Sequence, residues 1–317
     1  MNKIAILTRD CAGVNAAIRA AVRTAAAAGV KVLGVLRGYE GLIDGDFVVL
    51  NHRSVSSIIN LGGTILKTAR SERFHQAEYQ ERAVKNIKDA GIEGLLVIGG
   101  NGTLAGAHLL ASRYGIATVG IPATIDNDVN GVEATIGADT SVNVALDALD
   151  KIRDTATSLE RIFIVEVMGR NCGHIAMQVA LAGGCEEVLL PERDLDVEAM
   201  CREIKAGYAR GKVSWIVVTA EGRAKAQDVA AAVTLGTGLE TRIAVLGHVQ
   251  RGGRPTAIDR ILAARLAHAA FEALTGGSSD VCVHLKDGDV KLLPLEEAVR
   301  PKACEVAGDY HLLKVLA

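Results

Sequence analysis

The segment KIAILTRDCAGVNAAIR, residues 3–19, decides the fold. Its first five residues form an apolar run of strand length. A polar turn follows, and then an alanine-rich stretch of high helical propensity. A helix is predicted over residues 15–28, stopped by Gly29 at the position where helices take a left-handed glycine. A strand, a tight turn and a helix N-terminus make a cradle for phosphate, because the first N–H groups of the helix point at the ligand. Such turns usually carry several glycines, which let the backbone approach closely. This one has Gly13 alone.

The same alternation continues along the chain. Strand-like runs are KVLGVL (31–36), FVVL (47–50), LLVIGG (95–100), TVGIPAT (118–124), IFIVEVMG (162–169), EVLLP (187–191), SWIVVTAEG (214–222) and IAVLGHVQ (243–250). Helical patterns lie between most of them. In DTSVNVALDALDKIRD (139–154), Val142, Leu146 and Leu149 share one face. Near-continuous apolar strands alternating with helices predict an α/β protein with mostly parallel sheets sandwiched by helices. With five prolines and no Gly/Ser linker, two α/β layers in close contact are expected rather than tethered domains.

Composition narrows the function. At 317 residues and net charge −2, with 3% aromatic residues, the chain offers neither a basic surface nor a stacking platform for nucleic acid. No apolar run is long enough for a membrane span. The N-terminal residues lack a signal-peptide pattern, so a cytoplasmic protein is expected. The six scattered cysteines, Cys11, Cys172, Cys185, Cys201, Cys282 and Cys304, are read as reduced thiols.

Polar and glycine-rich words follow six of the strands, where ligands bind in open α/β sheets. ATIDND (123–128) offers Asp126 and Asp128, which point the same way if the segment is extended. One carboxylate can then take a hydroxyl proton while the other orients it. An Asx-turn is the plainer reading. GGNGT (99–103) precedes a helix predicted over residues 104–112 and has the makings of a phosphate cradle or a simple tight turn. Arg161, Arg170, Arg242, His248 and Arg251, with Glu221, form a second set. Arginines grip a phosphate dianion bidentately and a carboxylate accepts from sugar hydroxyls, which suggests a phosphorylated sugar or polyol. Singly, each arginine is more commonly a solvated surface ion pair.

Taken together, these words resemble the bacterial 6-phosphofructokinase family over essentially the whole chain. The match rests on NAAIR (15–19), GYEGL (38–42), GGT (62–64), TIDND (124–128), VEVMGRNCG (165–173), AGGCE (182–186), ETR (240–242) and GHVQRGG (247–253). The resemblance implies two similar Rossmann-like domains. A phosphoryl-donor domain would span residues 1–137 and about 251–303, and a sugar-phosphate domain 138–250 and about 304–317, with donor and sugar phosphate meeting in the cleft. It implies transfer from ATP, with Mg²⁺, to the 1-hydroxyl of fructose 6-phosphate. Asp126 would be the base, supported by Thr124 and Asp128, and Arg170 would stabilise the transferring phosphoryl group. Met168, Gly169, Glu221, His248 and Arg251 would hold fructose 6-phosphate. Arg161 and Arg242 would reach it from a neighbouring subunit of a homotetramer. Arg70, Ser71, Gly100, Gly102, Thr103 and Gly106 match the nucleotide side, joined by Arg9 and Gly13 of the first loop. Asn101 and Asp126 fall at the metal position. Arg19, Arg23, Arg153 and Lys212 match a site for a nucleotide or phosphoenolpyruvate-like effector.

Three departures cluster on the donor side. The family's LTSGGDAPGxNAAIR is here LTRDCAGVNAAIR, two residues shorter and with Arg9 in place of a small residue. Asn101 replaces an Asp that helps hold Mg²⁺, which weakens a hard-cation site. Ala123 stands where ATP users carry Gly and pyrophosphate users Lys, and Gly102 where pyrophosphate users place Asp. Both markers argue against pyrophosphate. The competing readings are a non-catalytic or regulatory sugar-phosphate-binding subunit, another donor, or another ketose phosphate. An active ATP-dependent kinase is the reading taken, because a decayed enzyme has no evident need to keep Asp126 and Arg170.

Overall fold

Residues 3–19 fold as strand, turn and helix. In β1 (Lys3–Thr8) every residue after the first is buried, and α1 (Val14–Ala27) follows, ended by Gly29 at φ +72°. The structure is a computed structural model that describes residues 1–304 and 306–317. The chain divides into two compact units, Met1–Thr140 with Arg251–Lys302, and Ser141–Gln250 with Ala303–Ala317.

In the first unit the chain runs on through β2 (Lys31–Val35), α2 (Tyr39–Asp44), β3 (Phe47–Leu50), α3 (Ala77–Asp89), β4 (Gly94–Gly99), α4 (Asn101–Tyr114) and β5 (Thr118–Pro122). The second unit takes most of α5 (Ala138–Leu159), then β6 (Ile162–Val167), α6 (His174–Ala182), β7 (Glu187–Leu189), α7 (Val197–Ala209), β8 (Trp215–Ala220), α8 (Ala226–Thr237) and β9 (Thr241–Val245). The chain then returns to the first unit for α9 (Ala257–Thr275), β10 (Val281–Lys286), β11 (Asp289–Pro294) and α10 (Leu295–Ala298). It ends in the second with α11 (Ala307–Leu316).

The first sheet has the order β11-β10-β5-β4-β1-β2-β3, and the second β7-β8-β6-β9. Pairing is parallel except at the edges of the first sheet, where β3 and β11 run antiparallel to their neighbours. The β10–β11 hairpin turns at Asp287 and Gly288, both at positive φ, as a two-residue hairpin loop of matching twist requires. The central strands β4 and β5 are buried at every position, and Leu95, Val97 and Leu104 belong to the core beneath them. Ile162, Ile164, Val217 and Trp215 anchor the second core. No helix among the described residues is long and apolar enough to cross a membrane.

Sheet order decides which loops meet. Because β5, β4 and β1 are neighbours, the segments after them, ATIDND, GGNGT and TRDCAG, gather at one edge of the first unit. Likewise β8, β6 and β9 bring AEGR, MGRNCG and GHVQ to one edge of the second.

Several expectations need correction. GGNGT does not precede its helix; α4 starts at Asn101, with Gly100 as cap, so Gly102 and Thr103 lie in its first turn. Residues 247–251 form a 3₁₀ turn, not a continuation of β9. Along α5, Ser141, Ala145 and Leu149 are fully buried while Val142 and Leu146 are half-buried. The cysteines are not all free. Cys172 and Cys304 form a disulfide, while Cys11, Cys185, Cys201 and Cys282 are buried thiols. Burial pushes Cys185 and Cys282 up to about 12 and raises Cys11 and Cys201 as well.

Candidate functional site

The base candidate sits in a turn, not in an extended segment. Asp126 is 2% exposed, its N–H donates to Thr124 Oγ1 at 3.2 Å, and Asn127 is left-handed at φ +50°. The alternation that would aim Asp126 and Asp128 the same way therefore does not apply, and Asp128 is half-exposed. Thr135 ties the turn down, donating through its hydroxyl to the Thr124 carbonyl at 2.6 Å and through its N–H to Asn127 Oδ1 at 3.0 Å. From the far end of the first unit, Lys302 donates to the carbonyls of Asn127 and Val132, both at 2.8 Å. Sequence reading missed Lys302, because nothing local marks a lysine 175 residues from its partner.

Asn101 joins this turn to α4. Its amide donates to the Asp128 carbonyl at 3.1 Å, and its Oδ1 is buried with no hydrogen-bond partner. The α4 N-terminus presents further donors, since the opening N–H groups of a helix have no carbonyl of their own turn to bond. Gly102 faces open space there, whereas a side chain at Gly106 would strike the Tyr39 ring at 2.4 Å. Gly106 thus serves packing: Tyr39 stacks on Phe74 and donates to the Thr103 carbonyl at 2.6 Å.

Gly13 has a similar explanation. It adopts φ +99°, and a Cβ there would lie 2.6 Å from Ile136 Cγ2. Cys11 beside it is buried and donates to the Ile136 carbonyl at 3.2 Å. Arg9 leaves β1 with its N–H on the Ile98 carbonyl and its guanidinium on Thr68 Oγ1 and the Ala69 carbonyl. That places the Arg9 cation beside exposed Arg70 and half-buried Ser71. Arg251 also belongs to this unit, and it donates to the Asp10 carbonyl at 3.3 Å.

In the second unit the MGRNCG loop is built tightly. Met168 N–H donates to the fully buried Gln250 at 2.9 Å, and Arg170 N–H donates to Glu221 Oε1 at 3.1 Å. Gly169 is at φ +138° and Arg170 at φ +52°, and a Cβ on Gly222 would lie 1.8 Å from the Arg170 carbonyl oxygen. Only glycine fits at 222. Arg161 and Arg242 converge on one carboxylate, Glu240, which sequence reading did not single out. His248 is exposed on the 3₁₀ turn that follows β9.

Arg19 and Arg23, one turn apart on α1, are half-exposed with buried, unpartnered Nε atoms. In the second unit Arg153 donates to the Gly183 and Gly184 carbonyls, and Lys212 pairs with Glu186 at 3.1 Å and lies over the Trp215 ring.

A family model described as phosphofructokinase matches residues 3–274. An ATP-dependent 6-phosphofructokinase of Clostridium botulinum (strain Loch Maree / Type A3) is 49% identical over 301 residues, covering 94% of either chain. ATP-dependent 6-phosphofructokinase 1 of Thermus thermophilus is 52% identical over 303 residues, again covering 94% of either chain. The solved phosphofructokinase of Saccharomyces cerevisiae superposes with a TM-score of 0.88 at 33% identity, covering 94% of this chain and 45% of that one. This chain therefore spans less than half of the yeast chain. Identity at this level over nearly the full length agrees with the buried carboxylate turn and the glycine-locked arginine loop, and the chain belongs to the phosphofructokinase family.

Proposed function

We propose that the protein transfers the terminal phosphoryl group of ATP to the 1-hydroxyl of fructose 6-phosphate, giving fructose 1,6-bisphosphate and ADP, a step of glycolysis. The observation that carries this reading is the buried Asp126, pinned by Thr124 and Thr135 in an intact TIDND turn. The named relatives, ATP-dependent enzymes at 49–52% identity, support ATP as donor.

Phosphoryl transfer asks little covalent chemistry of a protein and much positioning and charge compensation. Asp126 takes the 1-hydroxyl proton as the new P–O bond forms. The Asp126 N–H bond to Thr124 fixes the turn that aims the carboxylate. Arg170 and Arg9 offset charge on the moving phosphoryl group. Met168, Gly169, Glu221, His248 and Arg251 hold the sugar phosphate. Arg70, Ser71, Gly100, Gly102 and Thr103 shape the nucleotide side, and Gly106 and Gly13 allow the close packing behind it.

The residues fit a hydrated hard cation, since Asn101 Oδ1 is a buried oxygen without a partner and Asp126 offers a carboxylate. Asn101 and Asp126 would hold Mg²⁺, which when bound with the nucleotide supplies positive charge to the phosphate oxygens. The protein acts in the cytoplasm as a homotetramer, with Arg161 and Arg242 serving a neighbour's sugar phosphate. Arg19, Arg23, Arg153 and Lys212 bind an anionic effector, a reading supported by the two buried arginine Nε atoms without partners.

A coupled assay with ATP, GTP and pyrophosphate in turn tests the donor, and turnover with pyrophosphate alone overturns it. A panel of ketose phosphates tests the acceptor. Asp126→Asn is expected to cost roughly 10²–10⁴ in kcat while fructose 6-phosphate still binds. A fully active variant removes Asp126 as the base.

A further inference from the structure

The Cys172–Cys304 pair is unexplained by phosphoryl transfer. The two residues are 132 apart in sequence, with Cα atoms 6.3 Å apart, inside the range a disulfide spans. Cys172 is the fifth residue of MGRNCG. Its N–H donates to the Gly169 carbonyl at 3.0 Å, and its own carbonyl oxygen would lie 2.6 Å from any Cβ at Gly169. Residues 169–172 thus form one closed turn, with Arg170 left-handed inside it. Cys304 opens the segment leading to α11. That helix is held independently, by Tyr310 and Lys314 on Glu187, Lys314 on Glu203, and Gln178 on Asp309.

Glu192 is the third member of the cluster. Its Oε1 accepts the Gly173 N–H at 2.7 Å, while its Oε2 is buried and has no partner. A carboxylate oxygen of Glu192 and both sulfurs lie within 4.8 Å of one another. A disulfide has no hydrogen to give that oxygen, whereas a thiol has. Each redox state therefore has its own support. The disulfide tethers the turn, and the dithiol supplies the donor that Glu192 lacks.

We propose that Cys172 and Cys304 are a reversible thiol–disulfide switch that sets how firmly the Arg170 loop is held, and so the affinity for the sugar phosphate. This rests on the proposed roles of Met168 and Gly169 in holding it and of Arg170 beside the moving phosphoryl group. The oxidant is a small-molecule disulfide. Cys304 is half-buried and Cys172 fully buried, so the Cys304 thiolate attacks first, forming a mixed disulfide and releasing one small thiol. Cys172, deprotonated, then displaces the second small thiol and closes the protein disulfide. Two protein thiols are oxidised and one small disulfide is reduced to two thiols. The other four cysteines, buried and held as thiols, stay out of this exchange.

The test equilibrates the full-length protein across ratios of oxidised to reduced glutathione. Non-reducing peptide mapping reads the 172–304 cross-link, hydrogen exchange reads residues 168–173, and kinetics read KM for fructose 6-phosphate. Oxidation is expected to form that cross-link alone, to slow exchange in the loop, and to lower KM by between about 3- and 100-fold, reversed by reduction. Cys304→Ser is expected to remove all three responses. Absence of the cross-link at the most oxidising ratio overturns the switch. So does a complete cross-link with unchanged loop exchange or unchanged KM. Stoichiometric zinc, lost on Cys304→Ser, assigns the cluster to a metal and overturns it too. If fructose 6-phosphate proves not to be a substrate, the mapping and exchange arms still judge the switch by themselves.

Discussion

The Asn101 amide donates to the backbone carbonyl of Asp128 at 3.1 Å, so Asn101, at the proposed metal position, is itself part of the scaffold of the turn that carries Asp126. Asn101→Asp removes this donor and sets a carboxylate against a carbonyl. We expect a stability loss of about 1 kcal/mol, the net worth of an ordinary hydrogen bond. We also expect a gain in apparent Mg²⁺ affinity, because a full charge returns to the hard-cation position. Thermal unfolding with and without Mg²⁺, and rate against Mg²⁺ concentration, check both. An unchanged Mg²⁺ dependence removes Asn101 from the donor site.

Lys302 grips the same turn from the other side. Its two bonds, to the Asn127 and Val132 carbonyls, bracket the segment that follows Asp126. Burial lowers its pKa, and the charge of Asp128 acts against that shift. Lys302→Met keeps the length of the side chain and loses both donors. A fall of roughly 10- to 100-fold in kcat is expected, with little change in KM for fructose 6-phosphate, since the base is misplaced and the sugar side untouched. Lys302→Arg should recover part of the loss. A drop in melting temperature with kcat unchanged would mean that Lys302 only holds the fold.

These two residues show where sequence reading stops. The buried strands were legible because continuous apolar runs leave few alternatives, and the loops after β6 and β8 were legible because each follows such a run. The β10–β11 hairpin was passed over because half of its residues face solvent and blunt the apolar pattern. The α4 start was displaced because Gly102 looks like a loop residue, although it lies in the first turn of the helix. The Gln250–Met168, Lys302–Asn127 and Cys172–Cys304 contacts were invisible for a common reason. The partners lie far apart in sequence, and only the folded chain brings them together.

Arg73 makes a pH-dependent contribution in the first unit. It donates to Glu40 and Asp44, and these bonds hold both carboxyls below their ordinary values of 4.5 and 3.8. The unfolded chain therefore binds more protons as pH falls, and the stabilisation is whole above about pH 4.5 and fades through the lower folded-state values. Arg73→Ala is expected to lower the melting temperature near neutral pH by a few degrees at most, because the pairs are partly exposed. The two proteins should converge in acid. A gap that widens as pH falls would contradict this assignment.

Arg161 and Arg242 both pair with Glu240, and the proposed tetramer gives them to a neighbour's sugar phosphate. A site then draws Asp126 from one chain and Arg242 from another. Chains carrying Asp126→Asn and chains carrying Arg242→Ala should each be nearly inactive alone. Coexpressed in equal amounts, they should assemble so that about a quarter of sites combine an intact Asp126 with an intact Arg242. Activity is expected to return to roughly that fraction of the parent's. Sites completed within one chain give no recovery, because each chain then keeps its own defect. Light scattering on the same samples supplies the control, since a monomer that shows recovery, or a tetramer that shows none, contradicts the shared site.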